Sequence, residues 1–112
     1  RMVGKSKAIE LMALGGNFSM EKALELGLIN TLLPAENWWE SVLEYAAQFV
    51  PPGKASMAVG LIKRSVQSGA EMSLESGLSL ERELQQQLFQ SSDAKEGIKA
   101  FTEKRRPDFS GC

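Results

Sequence analysis

The stretch SDAKEGIKAFTEKRRPDF, residues 92–109, contains the signals for one complete short helix. Asp93 is a good N-cap, and Glu96 follows it three positions later in a capping-box arrangement. The basic run 104–106 stands where the helix dipole favours positive charge, and Pro107 cannot continue a helix. The pattern predicts a helix that is capped by Asp93 and runs to about Arg105, before Pro107, with an extended tail over residues 108–112.

Helical periodicity recurs along the rest of the chain. Apolar residues repeat at intervals of three and four, the spacing that gives a helix one apolar face. Ser19 is placed to cap a helix, and Gly27 is placed to end it in the left-handed conformation. The pattern predicts helices over residues 4–13, 20–26, 36–50, 54–67 and 73–90. The fold class is therefore mostly α.

One segment has the character of a strand instead. Residues 28–33, LINTLL, are bounded by Gly27 and Pro34, and proline excludes the helical conformation for the residue before it. A single strand is not stable without a partner. We therefore expect one short strand whose partner lies in sequence that is missing here.

Composition narrows the class of protein. The 112 residues suit one modest core, and the net charge of −1 gives no field that would draw in nucleic acid or an anionic membrane. No apolar run approaches the roughly 20 residues of a membrane span. The chain has no histidine and one cysteine, Cys112, which excludes histidine-based catalysis, internal disulfides and thiolate metal clusters. We expect no metal, no nucleic acid, no membrane and a cytoplasmic location.

Two features point to contact with other protein. Trp38 and Trp39 are adjacent in a predicted helix, so their side chains point about 100° apart and cannot both face one core. Glu81 and Gln85 fall within the apolar stripe of the longest predicted helix, which indicates either a partly wet interface or the edge of an ordinary core.

The ordered motifs resemble a known family. The stretch 92–109 resembles the closing signature of the crotonases, the enoyl-coenzyme A hydratases and isomerases. VGKSKAIELM at 3–12 and FSMEKALELGLIN at 18–30 are similar to earlier family segments, as are residues 58–63 and 71–81. Two departures affect loops: Gly15-Gly16 stands where a threonine usually precedes the glycine, and the connection 50–54 is slightly long.

The resemblance implies the C-terminal portion of a crotonase-like α/β fold. Residues 1–35 would be the end of the core, with helices and one strand, and residues 36–112 a helical lid and trimerisation domain. Arg1 is not an initiating residue, so we expect the start to be internal to a longer protein.

The family chemistry implied is hydration or isomerisation of a 2-enoyl-CoA in fatty acid β-oxidation. Two backbone amides hold the thioester oxygen as an enolate forms, and acidic residues move protons. The family places these groups before the segment present here, so we expect no catalytic residue and an inactive chain. The full-length protein would be an active enzyme that forms a trimer or a dimer of trimers.

The implied ligand is coenzyme A, bound as part of the acyl-CoA thioester substrate, with no tightly bound cofactor. An aromatic and a lysine of the family's last helix approach its adenine and phosphate end, and they match Phe101 and Lys104. The competing interpretation makes Phe101 a core residue and Lys104 a solvated one. An alternative to the enzyme is a non-catalytic helical interaction or oligomerisation module derived from the family.

Overall fold

The structure, a computed structural model, describes all 112 residues, and α-helix takes up 61% of them. The six helices are α1 (Gly4–Leu14), α2 (Met20–Glu25), α3 (Trp38–Ala47), α4 (Ser56–Gly69), α5 (Leu74–Phe89) and α6 (Ser92–Thr102). Every predicted helix is present, with ends shifted by a few residues. The prediction of a mostly α chain is confirmed.

The chain divides into two compact units, residues 1–42 and 43–112. In the first unit Gly15 ends α1 with φ of 61°, and the hydroxyl of Ser19 accepts a hydrogen bond from the Lys22 backbone N–H at 3.3 Å. Gly27 follows α2 with φ of 70°. The Ser19 cap and the Gly27 helix end were predicted correctly, because each signal acts within four or five residues of itself.

The strand predicted over residues 28–33 is wrong for this chain. That segment consists of bends and irregular backbone, and no residue of the chain lies in a strand. The physical reason is the absence of a second strand: ladder hydrogen bonds need a neighbouring extended segment, and the six helices provide none.

The second unit is built on α4 and α5, which pack against each other across a four-residue connection, as in an αα-hairpin. The hydroxyl of Ser73 caps α5 by accepting from the Ser76 N–H at 3.2 Å. Helix α6 packs on α5. Leu84 of α5 and Ala100 of α6 are the buried apolar residues of this unit, at 3% and 1% exposure.

Apolar side chains are unusually accessible throughout. Twenty-three large apolar residues are exposed, against three buried apolar residues in all, namely Ala23, Leu84 and Ala100. Trp38 and Trp39 are both more than half exposed and meet edge to face, with ring centroids 5.5 Å apart. Apolar surface of this extent is typical of a segment that packs against further protein.

Candidate functional site

The two predicted ligand-contact residues lie at the C-terminal end of α6. Phe101 is in the last turn and is 86% exposed, so it is not part of this chain's own core. Lys104 lies just beyond the helix, is also exposed, and has no ion-pair partner among the 112 described residues. An exposed aromatic face and an unpaired ammonium therefore occupy the same helix end.

The backbone at this helix end forms a Schellman motif. The N–H of Arg105 donates to the carbonyl of Ala100 at 3.0 Å, and the N–H of Lys104 donates to the carbonyl of Phe101 at 3.3 Å. Lys104 occupies the left-handed position of the motif, with φ of 53°. Glycine is the residue preferred there, because it has no Cβ to crowd the following carbonyl.

The carboxylate of Glu96, in α6, binds Arg105, the residue that follows this turn. Glu96 Oε1 lies 2.6 Å from one terminal nitrogen of Arg105, and Oε2 lies 2.9 Å from the other, a two-bond pairing of the kind that arginine forms with carboxylates. Glu103 accepts from Arg105 Nε at 2.7 Å, and Glu96 Oε1 also accepts from the Asp108 N–H at 3.0 Å. The guanidinium is thus occupied on both sides.

These contacts shift two ionisation equilibria. The hydrogen bonds from Arg105, and next from the Asp108 N–H, lower the pKa of Glu96 from 4.5 to about 2. The hydrogen bonds to Glu96 and Glu103 raise the pKa of Arg105 above its ordinary value. Both partners therefore stay charged at neutral pH, and Arg105 brings little uncompensated positive charge to this end of the helix.

The N-terminal end of α6 differs from the prediction. The N-cap is Ser91, whose hydroxyl accepts from the Ala94 N–H at 3.0 Å, so the predicted cap at Asp93 and its capping box with Glu96 are wrong. Asp93 lies inside the first turn and is 2% exposed. The Asp93 side chain is not needed for capping, because the Ser91 hydroxyl already accepts the hydrogen bond from the Ala94 N–H.

Asp93 instead holds the C-terminal tail. Its carboxylate accepts from the N–H groups of Ser110 and Gly111, each at 2.8 Å, and from the Ser110 hydroxyl at 3.1 Å. Burial opposes the charged form, but these hydrogen bonds outweigh it and lower the pKa of Asp93. The Asp93 N–H and Ser92 hydroxyl donate to the main-chain oxygen of Cys112, at 2.9 and 2.7 Å. We call this arrangement the tail clasp.

An apolar groove of about 280 Å³ runs between α4 and α5. Glu81 and Gln85, the polar pair predicted on the α5 stripe, line it beside Leu84. Its remaining lining residues are Ala58, Leu61, Ile62, Ser65, Val66 and Leu88. The groove is open to solvent.

The structure contains neither a candidate metal site nor a candidate membrane span. The structure has no group of three or more His, Cys, Asp or Glu side chains placed to hold a metal ion. None of the six helices is both long enough and apolar enough to span a membrane. The site residues that the sequence analysis missed are Glu96, in its role as the partner of Arg105, and Asp93, in its role as the holder of the tail.

Comparison with known proteins gives a consistent result. The sequence profile of the enoyl-CoA hydratase/isomerase family matches residues 1–112. The chain is 36% identical over 109 residues to the mitochondrial enoyl-CoA hydratase of Pongo abelii, covering 97% of this chain and 37% of that protein. It is 32% identical over 111 residues to the 2,3-dehydroadipyl-CoA hydratase of Escherichia coli, covering 99% of this chain and 43% of that protein. The chain spans about two fifths of the length of these relatives.

Solved structures agree with the sequence relatives. An enoyl-CoA hydratase from Geobacillus kaustophilus superposes with a TM-score of 0.90 at 39% identity, over 100% of this chain and 42% of that one. The enoyl-CoA hydratase from Bacillus anthracis gives 0.83 at 31% identity, over 100% and 43%. With the family profile matched from the first residue to the last, this chain belongs to the enoyl-CoA hydratase/isomerase family.

Proposed function

We propose that the chain is the C-terminal helical portion of an enoyl-CoA hydratase or isomerase that acts on acyl-CoA thioesters. The observation that carries this proposal is that the whole chain matches the family, over about two fifths of the length of each relative. Those relatives include a 2,3-dehydroadipyl-CoA hydratase and a 1,2-epoxyphenylacetyl-CoA isomerase, whose names share the coenzyme A thioester and differ in the acyl group. The substrate class is therefore acyl-CoA.

The reaction we propose for the complete protein passes through an enolate. Two backbone amides in the part that precedes this segment would hold the thioester oxygen, and one such donor contributes about 3 kcal/mol to lowering the barrier. Acidic residues of the same part would move the protons. We place the end of the catalytic core in residues 1–35 and a lid and trimerisation domain in residues 36–112, and we assign no catalytic group to this chain.

The role we propose for α6 is contact with coenzyme A. Phe101 would bound the adenine ring, and the Lys104 ammonium would meet a phosphate. Support comes from the exposure of both side chains and from the free charge of Lys104 beside the neutralised Arg105. The ligand is the substrate's own coenzyme A, with no tightly bound cofactor, and trimeric assembly would cover part of the exposed apolar surface. The cytoplasmic location stays a prediction, because the relatives include mitochondrial proteins.

The first experiment tests where the chemistry resides. The complete gene product that contains these residues should hydrate or isomerise crotonyl-CoA or a longer enoyl-CoA, followed by the change in enoyl-thioester absorbance. The 112-residue chain, assayed at the same molar concentration, should show no turnover above buffer. Turnover by the chain alone would contradict the placement of the catalytic groups outside it.

The second experiment tests the coenzyme A contact. In the complete gene product Lys104→Ala should raise KM for crotonyl-CoA about five- to thirtyfold, the factor for losing 1–2 kcal/mol of a charge-assisted contact. KM for crotonyl-pantetheine, which lacks the nucleotide, should not change. Lys95→Ala, at an exposed lysine in the first half of α6, is the matched control. An equal rise for both substrates would contradict a phosphate contact.

A non-catalytic interaction module is the second candidate function. This candidate is favoured by the exposed pair Trp38 and Trp39 and by the other exposed apolar side chains, because such surface is typical of a chain whose function is to pack against other protein. The two candidates differ in one measurement. An inactive complete gene product that still assembles through this segment would support the module, whereas turnover of an enoyl-CoA would exclude it.

A further inference from the structure

The three basic residues at the end of α6 have different surroundings. Arg105 is paired with Glu96 through two bonds and with Glu103 through a third. Lys104 has no ion pair and is exposed. Although the run 104–106 looks uniform in the sequence, the structure divides it into one cation used for internal pairing, Arg105, and two exposed cations without an ion pair, Lys104 and Arg106, of which only Lys104 lies in the left-handed turn.

The backbone of Lys104 is unfavourable for a lysine. Its φ of 53° places it in the left-handed region, at the Schellman position that glycine would occupy without crowding. Local backbone strain is retained where surrounding contacts hold it in place, and it is found preferentially at functional positions. A charged residue with a Cβ at this position is therefore a candidate for a functional side chain, and other contacts must hold its turn in place.

The contacts that hold the turn converge on Glu96. One of its oxygens bonds both the Arg105 guanidinium, at 2.6 Å, and the Asp108 N–H, at 3.0 Å. The other oxygen completes the pairing with Arg105 at 2.9 Å. Because Glu96 lies in the body of α6, it ties the residues on the C-terminal side of Lys104 back to the helix.

We propose that Glu96 is a positioning residue, which acts through Arg105 to hold the left-handed turn that presents the Lys104 ammonium to a phosphate of the acyl-CoA substrate. This inference rests on the proposed function, since it needs Lys104 to contact coenzyme A. It adds a second residue to that contact, one that touches no ligand itself. It also assigns Arg105 to the turn and not to the phosphate.

The test is a double-mutant cycle in the complete gene product. Glu96→Gln removes the charge that pairs with Arg105, and it should raise KM for crotonyl-CoA about three- to tenfold while leaving crotonyl-pantetheine unchanged, since a misplaced ammonium loses part of its contact. In a Lys104→Ala background the same substitution should have no further effect on KM, because coupled residues are not additive. Glu10→Gln, which removes the exposed pair with Lys7 on α1, is the control.

A second variant covers the case in which Glu96→Gln does not fold. Arg105→Lys keeps the positive charge but cannot form two parallel bonds to Glu96, so it should produce the same selective rise in KM. Lys104→Gly adds a further readout: the melting temperature should rise, because glycine relieves the left-handed backbone, while KM for crotonyl-CoA also rises.

The outcomes separate the two claims. If Lys104→Ala leaves KM for crotonyl-CoA unchanged, the proposed contact and this inference both fail. If Lys104→Ala raises KM but Glu96→Gln and Arg105→Lys act equally on both substrates, or add to Lys104→Ala, then Glu96 is merely structural and only this inference fails. A selective and non-additive rise supports it.

Discussion

Replacement of Gly111 by alanine tests the tail clasp at its most constrained backbone position. Gly111 has φ of 90°, and its N–H donates to Asp93 at 2.8 Å. A Cβ added there would lie 2.6 Å from Ser56 Oγ and 3.4 Å from Pro51 Cγ. The backbone angle and the lack of space therefore both oppose a side chain.

Most of the expected free-energy cost of Gly111→Ala comes from the backbone conformation. A residue with a Cβ in a left-handed conformation costs roughly 1–2 kcal/mol relative to glycine. The close approach to Ser56 adds little, because the hydroxyl can rotate away, and the contact with Pro51 is tight but not prohibitive. Opening of the clasp should therefore become easier by roughly 1–2 kcal/mol, a factor of 5–30 in the open population.

Amide hydrogen exchange measures this opening directly. In Gly111→Ala the backbone N–H of Ser110 should exchange faster by about that factor, because its hydrogen bond to Asp93 breaks when the tail opens. Gly53→Ala is the matched control, since the nearest atom to its added Cβ is 3.8 Å away and its φ is not positive. Unchanged exchange at Ser110, or an equal acceleration in the control, would refute the reasoning.

Three further predictions address packing, capping and pH. Leu84→Ala should lower the free energy of unfolding by about 2–4 kcal/mol, because three buried carbons are lost. Leu78→Ala, at a half-exposed site in the same helix, should lower it by about 1 kcal/mol. Urea denaturation of the chain measures both changes. Ser91→Ala should cost about 1 kcal/mol through loss of the α6 cap, measured by thermal unfolding. The hydrogen bonds from the tail lower the pKa of Asp93, so in acid the open tail binds more protons than the closed one. The tail clasp should therefore be fully stable above the ordinary aspartate pKa of 3.8 and loosen as the pH falls below it, seen as faster amide exchange in the tail after correction for intrinsic rates.

Signals that act over one helical turn were sufficient to predict most of the helices. Ser19 and Gly27 perform the roles predicted for them, because a capping hydroxyl or a left-handed glycine needs only its own neighbours in sequence. The helix ends moved by a few residues, as at α3, which was predicted over 36–50 and forms over Trp38–Ala47.

The α6 cap shows how a local signal can be ambiguous. Ser91 and Asp93 are both good capping residues two positions apart, and the sequence pattern favoured Asp93 because Glu96 completes a capping box. The C-terminal tail determines which residue caps the helix, because it binds the Asp93 carboxylate and leaves Ser91 as the cap. Asp93 receives three hydrogen bonds from residues 17 and 18 positions away, and no short-range pattern contains those partners.

The amino-acid sequence by itself determined the helical class, the order of the helices, the lack of histidine chemistry and the family resemblance. These follow from hydrogen bonds that close within four residues and from residue types that need no partner. The tertiary structure alone decided that residues 28–33 form no strand, that Asp93 holds the tail, and that Arg105 is paired while Lys104 is free. Each of these depends on whether a distant group comes within hydrogen-bonding distance, and only the folded chain determines that distance.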